Sequence, residues 1–211
     1  PSKSHYTFNL RDFSRVVQGV LLQEPSDQFQ NKPSVMRLWT HEALRVFGDR
    51  LTDDTDRQWM CDHCSAMCKE VFKCDFQSEF DHIRPSDETE TGYGTLRRLF
   101  WGDYMTPADE DERPYAEVPD LQQLQERTEE ALSDFNSASK KPMELVMFMF
   151  AIEHVSRIAR VLRMPGGNAL LVGVGGSGRQ SLSILATEMA GYQLFRIEIT
   201  KSYGMTEWRE D

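Results

Sequence analysis

The fold of this chain is built around the sequence Gly173-Val174-Gly175-Gly176-Ser177-Gly178-Arg179-Gln180-Ser181. The apolar run at 169–172 predicts a buried strand before this glycine loop. After the loop, apolar residues recur at helical spacing at Leu182, Leu185, Ala186 and Met189. A strand, a glycine loop and a helix start present unpaired backbone N–H groups to an anion, so the sequence predicts a phosphate site.

Two nucleotide fingerprints overlap in the glycine loop. Read as the nucleoside-triphosphate loop G-x-x-x-x-G-K-[ST], it carries Arg179 in place of Lys and Gln180 in place of Ser or Thr. Read as the dinucleotide loop G-x-G-x-x-G, it matches at all three glycines, and Glu198 stands where a ribose-binding acid is expected. A ligand-free turn is the third reading. The spacing of the glycines alone does not decide among these three interpretations.

Composition narrows the class of protein. The 211 residues have room for one large domain or two small ones, and 39% hydrophobic content with a mean hydropathy of -0.55 is typical of a water-soluble chain. A net charge of -10 argues against nucleic-acid or anionic-membrane binding. The longest apolar run, 145–152, is too short to span a bilayer, and no signal-peptide pattern opens the chain. Its abrupt start and end suggest a piece of a longer protein.

The four cysteines are clustered at Cys61, Cys64, Cys68 and Cys74. Cys61 and Cys64 form one CxxC pair, which is half of a tetrahedral zinc set, but no second pair follows. The first three cysteines share one face of a predicted helix, and free cysteine behaves as a small buried hydrophobe. We therefore predict reduced thiols in a core and no metal site.

Apolar periodicity predicts a mainly helical chain before the glycine loop. The predicted helices cover 11–21, 34–51 with Ser34 as the N-cap, 55–73, 121–136 and 143–162. Glu153 and Arg157 form an i, i+4 pair on the polar face of the last one. Alternation at 193–199 predicts a second strand, and hence a parallel βαβ unit around the loop.

Several stretches together resemble axonemal dynein heavy chains. Residues 164–182 resemble the start of the fourth AAA+ module of that family, and 195–204 and 208–211 continue the match. Three upstream stretches resemble the helical lid of the third module: residues 8–16, 38–42 and 45–51. The resemblance implies an α/β AAA+ P-loop fragment with an added helical subdomain. Its predicted parts are a lid at 1–85, a linker with N-terminal elements at 86–140, and the start of a parallel-sheet large subdomain at 141–211.

The resemblance also implies roles for residues outside the loop. Arg11 would match the second-sensor arginine, which reaches a nucleotide held by its own, preceding module; an ordinary helix-start arginine paired with a surface acid is the alternative. The segment that packs against adenine in that family would be matched by Pro142, Met143, Leu145 and Val146. Alternatively, these residues belong to the hydrophobic core, and the two interpretations are compatible.

Two residues that depart from the phosphate-loop consensus affect how the loop would bind phosphate and Mg²⁺. Arg179 binds phosphate in a different geometry from Lys, and Gln180 replaces the hydroxyl that ligates Mg²⁺. Ser181 has a hydroxyl, but one residue along a helix turns it away by about 100°. We therefore predict a regulatory site for ATP or ADP, with Mg²⁺ left open and no catalysis by this piece alone.

The resemblance implies that the longer protein containing this chain, its parent, is an ATP-dependent microtubule motor. Its expected location is the cytoplasm and cytoskeleton, in the axoneme of a cilium or flagellum. Its partners would be microtubules, other dynein chains and axonemal proteins. The alternatives are a dinucleotide-binding oxidoreductase domain, which needs Glu198 at the end of its strand, and a nucleotide-free AAA+ scaffold.

Overall fold

A computed structural model describes residues 3–25, 31–197, 200 and 202–210. The helices of this part are α1 (Leu10–Val20), α2 (Lys32–Val46), α3 (Asp54–Met67), α4 (Phe76–Glu79), α5 (Tyr93–Leu96), α6 (Leu121–Ala138), α7 (Met149–Arg163), α8 (Arg179–Met189) and α9 (Met205–Glu210). Short 3-10 turns cover Gly48–Arg50 and Asp81–Ile83, and a π-helical turn covers Cys68–Phe72. The strands are β1 (Phe100–Gly102) and β2 (Ala116–Val118). Among the helices described, none is both long and apolar enough to cross a membrane.

Side-chain caps explain where the first helices begin. Asn9 and Asp12 form a reciprocal capping box at the start of α1. Asn31 accepts a hydrogen bond from the backbone N–H of Ser34 at 2.9 Å and caps α2. The prediction of Ser34 as the N-cap was therefore wrong: Pro33 fits inside the first turn, where its missing N–H would have no partner.

The first core packs α2 against α3, and the cysteine face lies inside it. Its buried residues are Met36, Ala43, Leu44, Met60, Cys61, Cys64, Cys68, Phe76, Phe80, Ile83, Leu96 and Leu99. Burial raises the pKa of Cys61 to about 11 and that of Cys64 to about 12, so both thiols are protonated at neutral pH. The predicted burial of this helix face is confirmed. No cluster of three His, Cys, Asp or Glu side chains within the described ranges is suited to holding a metal ion.

The second core surrounds α7 and α8. Its buried members include Leu124, Leu132, Ile152, Val155, Leu185 and Met189, which come from α6, α7 and α8. The hairpin-like pair β1 and β2 adds Phe100 and Val118, which face each other in an antiparallel register. The sequence analysis predicted neither strand. The predicted helix at 121–136 is confirmed as α6.

The predicted parallel sheet is absent from the part of the chain that the structure describes. Residues 169–172 and 193–197 are not strands, and the one ladder among the described residues joins β1 to β2. Leu170 and Val172 are 90% and 84% exposed, so the predicted buried strand is wrong. A parallel strand needs hydrogen-bonded neighbours and cover on both faces, which this segment does not find here. Glu198 and the end of the second predicted strand lie outside the described residues.

The two cores are joined by a buried carboxylate, Glu42 on α2. Arg160 on α7 donates to Oε2 of Glu42 from Nε at 2.8 Å and also from Nη2. The hydroxyl of Tyr115 donates to Oε1 at 2.7 Å, and Nδ1 of His41 lies 3.0 Å from the same oxygen. Burial alone would raise the pKa of Glu42, but His41 and Arg160 outweigh it and lower the pKa to about 2. The carboxylate is therefore ionised and fully hydrogen-bonded.

Candidate functional site

The glycine loop and the start of α8 form a turn that only glycine suits. Gly176 and Gly178 have φ angles of +79° and +77°, in the left-handed region that a Cβ atom disfavours. The backbone N–H of Leu182 donates to the carbonyl of Gly178 at 2.8 Å and closes the first turn of α8. The preceding N–H groups of that turn have no intrahelical acceptor, as at every helix start. The predicted loop-to-helix arrangement is confirmed, and it can receive an anion.

A cavity of about 830 Å³ opens beside the loop. Its loop side consists of Gly176, Ser177, Gly178 and Arg179, and its far side is predominantly apolar. The other lining residues are Glu144, Leu145, Val146, Phe148, Phe150, Ala151, His154, Ile158, Leu170, Leu171, Val172 and Leu182. This size and this mixture of an apolar wall with a few polar groups are typical of small-molecule sites.

A second cavity of about 700 Å³ adjoins the same loop. It shares residues 176–179 with the first cavity and adds Gln180, Ser181 and Arg196. Glu144, which is exposed, is the single carboxylate among the described residues lining the two cavities. Mg²⁺ is usually bound through one or two carboxylates, and Glu144 is the one such ligand that the described lining residues offer.

Arg179 folds back over the loop that precedes it. Its Nη2 donates to the carbonyl oxygen of Val174 at 3.2 Å, and the side chain is partly exposed. Gln180 is exposed beside it, at the place where the consensus has a Mg²⁺-ligating hydroxyl. The hydroxyl of Ser183 is engaged with the carbonyl of Arg179 at 2.7 Å. The loop therefore offers backbone N–H groups and the guanidinium of Arg179 to an anion.

The segment predicted to pack against adenine is extended rather than helical. Helix α7 begins at Met149 and not at 143, so the predicted start of this helix was wrong. The side chain of Asn136 explains the difference, because it accepts from the backbone N–H of Met143 at 2.7 Å and donates to its carbonyl at 2.9 Å. These bonds occupy both backbone groups of Met143, so this residue does not take part in the hydrogen bonds of a helix. As a result, Leu145 and Val146 face the cavity beside the loop.

The remaining predicted site residues do not line these cavities. Met143 packs against the second core, which agrees with its core reading, and Pro142 is exposed. Arg11 is exposed on α1, where its backbone N–H donates to the cap residue Asn9. The role of Arg11 toward a nucleotide stays a prediction.

Three aromatic residues of the site were missed by the sequence analysis. Phe148, Phe150 and His154 line the cavity, although their helix was predicted only as a strongly apolar one. The i, i+4 spacing of Phe150 and His154 could have revealed a shared face.

The predicted Glu153–Arg157 pair forms at 3.4 Å, but Glu153 is buried and not on a polar face; it also binds Arg97 at 2.9 Å.

Comparisons with known proteins point to one family over the whole chain. Residues 143–211 match the family described as "P-loop containing dynein motor region D4", and residues 1–57 match "Dynein heavy chain, ATPase lid domain". The chain is 51% identical to dynein axonemal heavy chain 12 of Mus musculus and 50% identical to dynein axonemal heavy chain 3 of Homo sapiens, with 100% of the chain aligned in each case. It spans 7% of the length of the first relative and 5% of the second.

Proposed function

Because this chain belongs to the axonemal dynein heavy chain family, we propose that it contributes a regulatory adenine-nucleotide site to the motor region of such a chain. In this proposal the parent is an ATP-dependent microtubule motor of the axoneme of a cilium or flagellum. Its partners are microtubules, other dynein chains and axonemal proteins, reached through parts of the parent outside these residues. Motor regions of this family bind nucleotide in general.

One observation carries the proposal: a single cavity unites the phosphate-type loop with the segment expected to hold a base. The loop side supplies backbone N–H groups and the helix start for phosphates, and Leu145 and Val146 supply apolar surface for adenine. These segments are about thirty residues apart in the sequence, and both line the same cavity. ATP or ADP fits this division between a polar and an apolar end.

The side chains favour binding over hydrolysis. In phosphoryl transfer, a Ser or Thr hydroxyl and an acidic residue hold Mg²⁺, which neutralises the developing charge. Here Gln180 occupies the hydroxyl position, so one of these Mg²⁺ ligands is replaced by an amide. Arg179 can neutralise phosphate charge without a metal, through several N–H donors. A bound nucleotide would therefore stay intact for long enough to act as a regulatory ligand.

Equilibrium binding of fluorescent ATP, ADP and NADH tests the proposal. We expect both adenine nucleotides to bind, and Arg179→Ala to weaken them about tenfold or more, because a hydrogen bond to a charged group contributes about 1.5–3 kcal/mol. Arg15→Ala is the matched control, since Arg15 is 66% exposed on α1 and lines neither loop cavity. Binding of NADH without ATP would favour the dinucleotide reading, and binding of none of the three would favour a nucleotide-free scaffold.

A further inference from the structure

Two phenylalanine rings and an imidazole stand in a row at the start of α7. The rings of Phe148 and Phe150 are nearly parallel, with centroids 6.4 Å apart and an interplanar angle of 9°. The ring of His154 meets Phe150 edge-on at 4.4 Å. Phe148 and Phe150 are 57% and 51% exposed, although most large aromatic side chains of the second core are buried. The exposed faces of these rings are free to pack against a ligand.

This aromatic row faces the same cavity as the glycine loop. Phe148, Phe150 and His154 line its apolar side, whereas residues 176–179 line its polar side. A ligand whose phosphates reach the loop would therefore direct its other end toward the aromatic row. Nucleobases bind well to such surfaces, because stacking on an aromatic ring is favourable for every base.

His154 is the polar group best placed to contact the edge of a base. Burial, and then the charge of Arg157, lower its pKa, so the imidazole is neutral at neutral pH. A neutral imidazole has one N–H donor and one nitrogen acceptor. The charged groups near it are already paired: Arg157 with Asp49 at 3.2 Å and Arg97 with Glu153 at 2.9 Å. These ion pairs leave the imidazole as the uncharged polar group of the apolar wall.

His154 and Phe150 are also held from behind. Both side chains form part of a separate cleft of about 400 Å³, which is also lined by Asp49, in the 3-10 turn after α2, and by Arg57 on α3. The two rings therefore form a wall between the cleft and the nucleotide cavity. Because Phe150 and His154 line both the cleft and the cavity, they lie at the junction between the first and second cores and not on a free surface loop.

We propose that Phe150 and His154 recognise the base of the bound nucleotide. Phe150 packs against the face of the base, and His154 hydrogen-bonds with its edge and so sets the preference among purines. This inference rests on the proposed nucleotide site and deepens it, because it assigns base selection to side chains of α7, beside the apolar surface that Leu145 and Val146 supply.

The test is competition against photolabelling with 8-azido-ATP in the full-length chain. Mass spectrometry of the tryptic peptides 141–157 and 164–179 reads out this site alone, even if other nucleotide sites are present. ATP, GTP and inorganic tripolyphosphate serve as competitors. Tripolyphosphate reports the loop without a base, so it separates phosphate binding from base binding.

We expect Phe150→Ala to raise the ATP concentration that halves labelling about tenfold. His154→Ala should raise it about fivefold and bring the ATP and GTP values closer together. Neither variant should change competition by tripolyphosphate. If the alanine variants lower the melting temperature, the volume-conserving variants Phe150→Leu and His154→Gln test the same changes in ATP and GTP competition.

The matched control is another i, i+4 aromatic pair. Trp59 and His63 on α3 stack at 5.2 Å and line neither loop cavity, so Trp59→Ala and His63→Ala should leave all competition values unchanged. The proposal is overturned if labelling saturates but ATP and GTP compete equally well before and after substitution of Phe150 and His154. A wild-type chain with no saturable label in either peptide would instead refute the nucleotide site itself.

Discussion

Replacing Arg160 with methionine tests whether the buried carboxylate joins the two halves of the molecule. Glu42 is 0% exposed and the side chain of Arg160 only 10%, so the variant leaves a buried carboxylate with hydrogen-bond partners on one oxygen only, His41 and Tyr115. His41 and Arg160 together lower the pKa of Glu42 from 4.5 to about 2 in the folded chain, which corresponds to about 3 kcal/mol for all partners at 1.36 kcal/mol per pKa unit. Breaking a buried ion pair typically costs about 3–5 kcal/mol, in agreement.

The assay is thermal unfolding of the wild type, Arg160→Met, Glu42→Gln and the double variant. A loss of about 3 kcal/mol should lower the melting temperature of a chain of this size by roughly 6–12 °C. The double variant should lose less than Arg160→Met alone, because it removes the stranded charge. Glu130→Gln is the control: its pair with Arg127 is exposed on the glutamate side (64%), and its change should stay within about 0.5 kcal/mol.

The pH dependence gives an independent check with a definite sign. The lowered pKa of Glu42 means that its stabilisation is present above about 4.5 and is lost as the pH falls toward about 2. In Arg160→Met the carboxyl can protonate more readily, so the gap to the wild type should shrink between pH 7 and pH 3. A loss below about 1 kcal/mol at pH 7, or a gap that does not change with pH, would refute the reasoning.

Three further predictions concern the core and the loop. Gly19→Ala should destabilise the chain although alanine normally favours a helix, because the added methyl would overlap the Glu42 carboxylate; thermal melting measures this, and a raised melting temperature would contradict it. Cys64 should react with a thiol reagent only after unfolding, since burial raises its pKa to about 12; fast labelling of the native chain would contradict this. The double change Arg179→Lys and Gln180→Thr restores the consensus and should make nucleotide affinity rise with Mg²⁺ in a titration, whereas metal-independent affinity would contradict the role assigned to Gln180.

Local patterns predicted the helical elements well. The stripe from Leu182 to Met189 gave helix α8, and the cysteine spacing gave the buried face of α3, because both depend on residues close in sequence. The predicted start of α7 was wrong because Asn136, from the preceding helix, hydrogen-bonds with both backbone groups of Met143. Periodicity within one segment carries no information about such a contact.

The long-range features could not be predicted from the sequence. Glu42 and Arg160 are 118 residues apart, and neither stands in a motif that would link them. The predicted strand at 169–172 has the right composition but finds no ladder partner among the described residues, and pairing is a property of the neighbours. Phe150 was assigned to an apolar helix, and only the cavity reveals that its ring faces the loop.

Amide hydrogen exchange with and without ATP tests the nucleotide site most directly. The proposed binding mode places phosphates on backbone N–H groups, so saturating ATP should slow exchange at residues 174–181 and, more weakly, at 145–154. Exchange within α3 should not change, since its residues line neither loop cavity. Unchanged exchange at 174–181 under saturating ATP would contradict binding through the glycine loop.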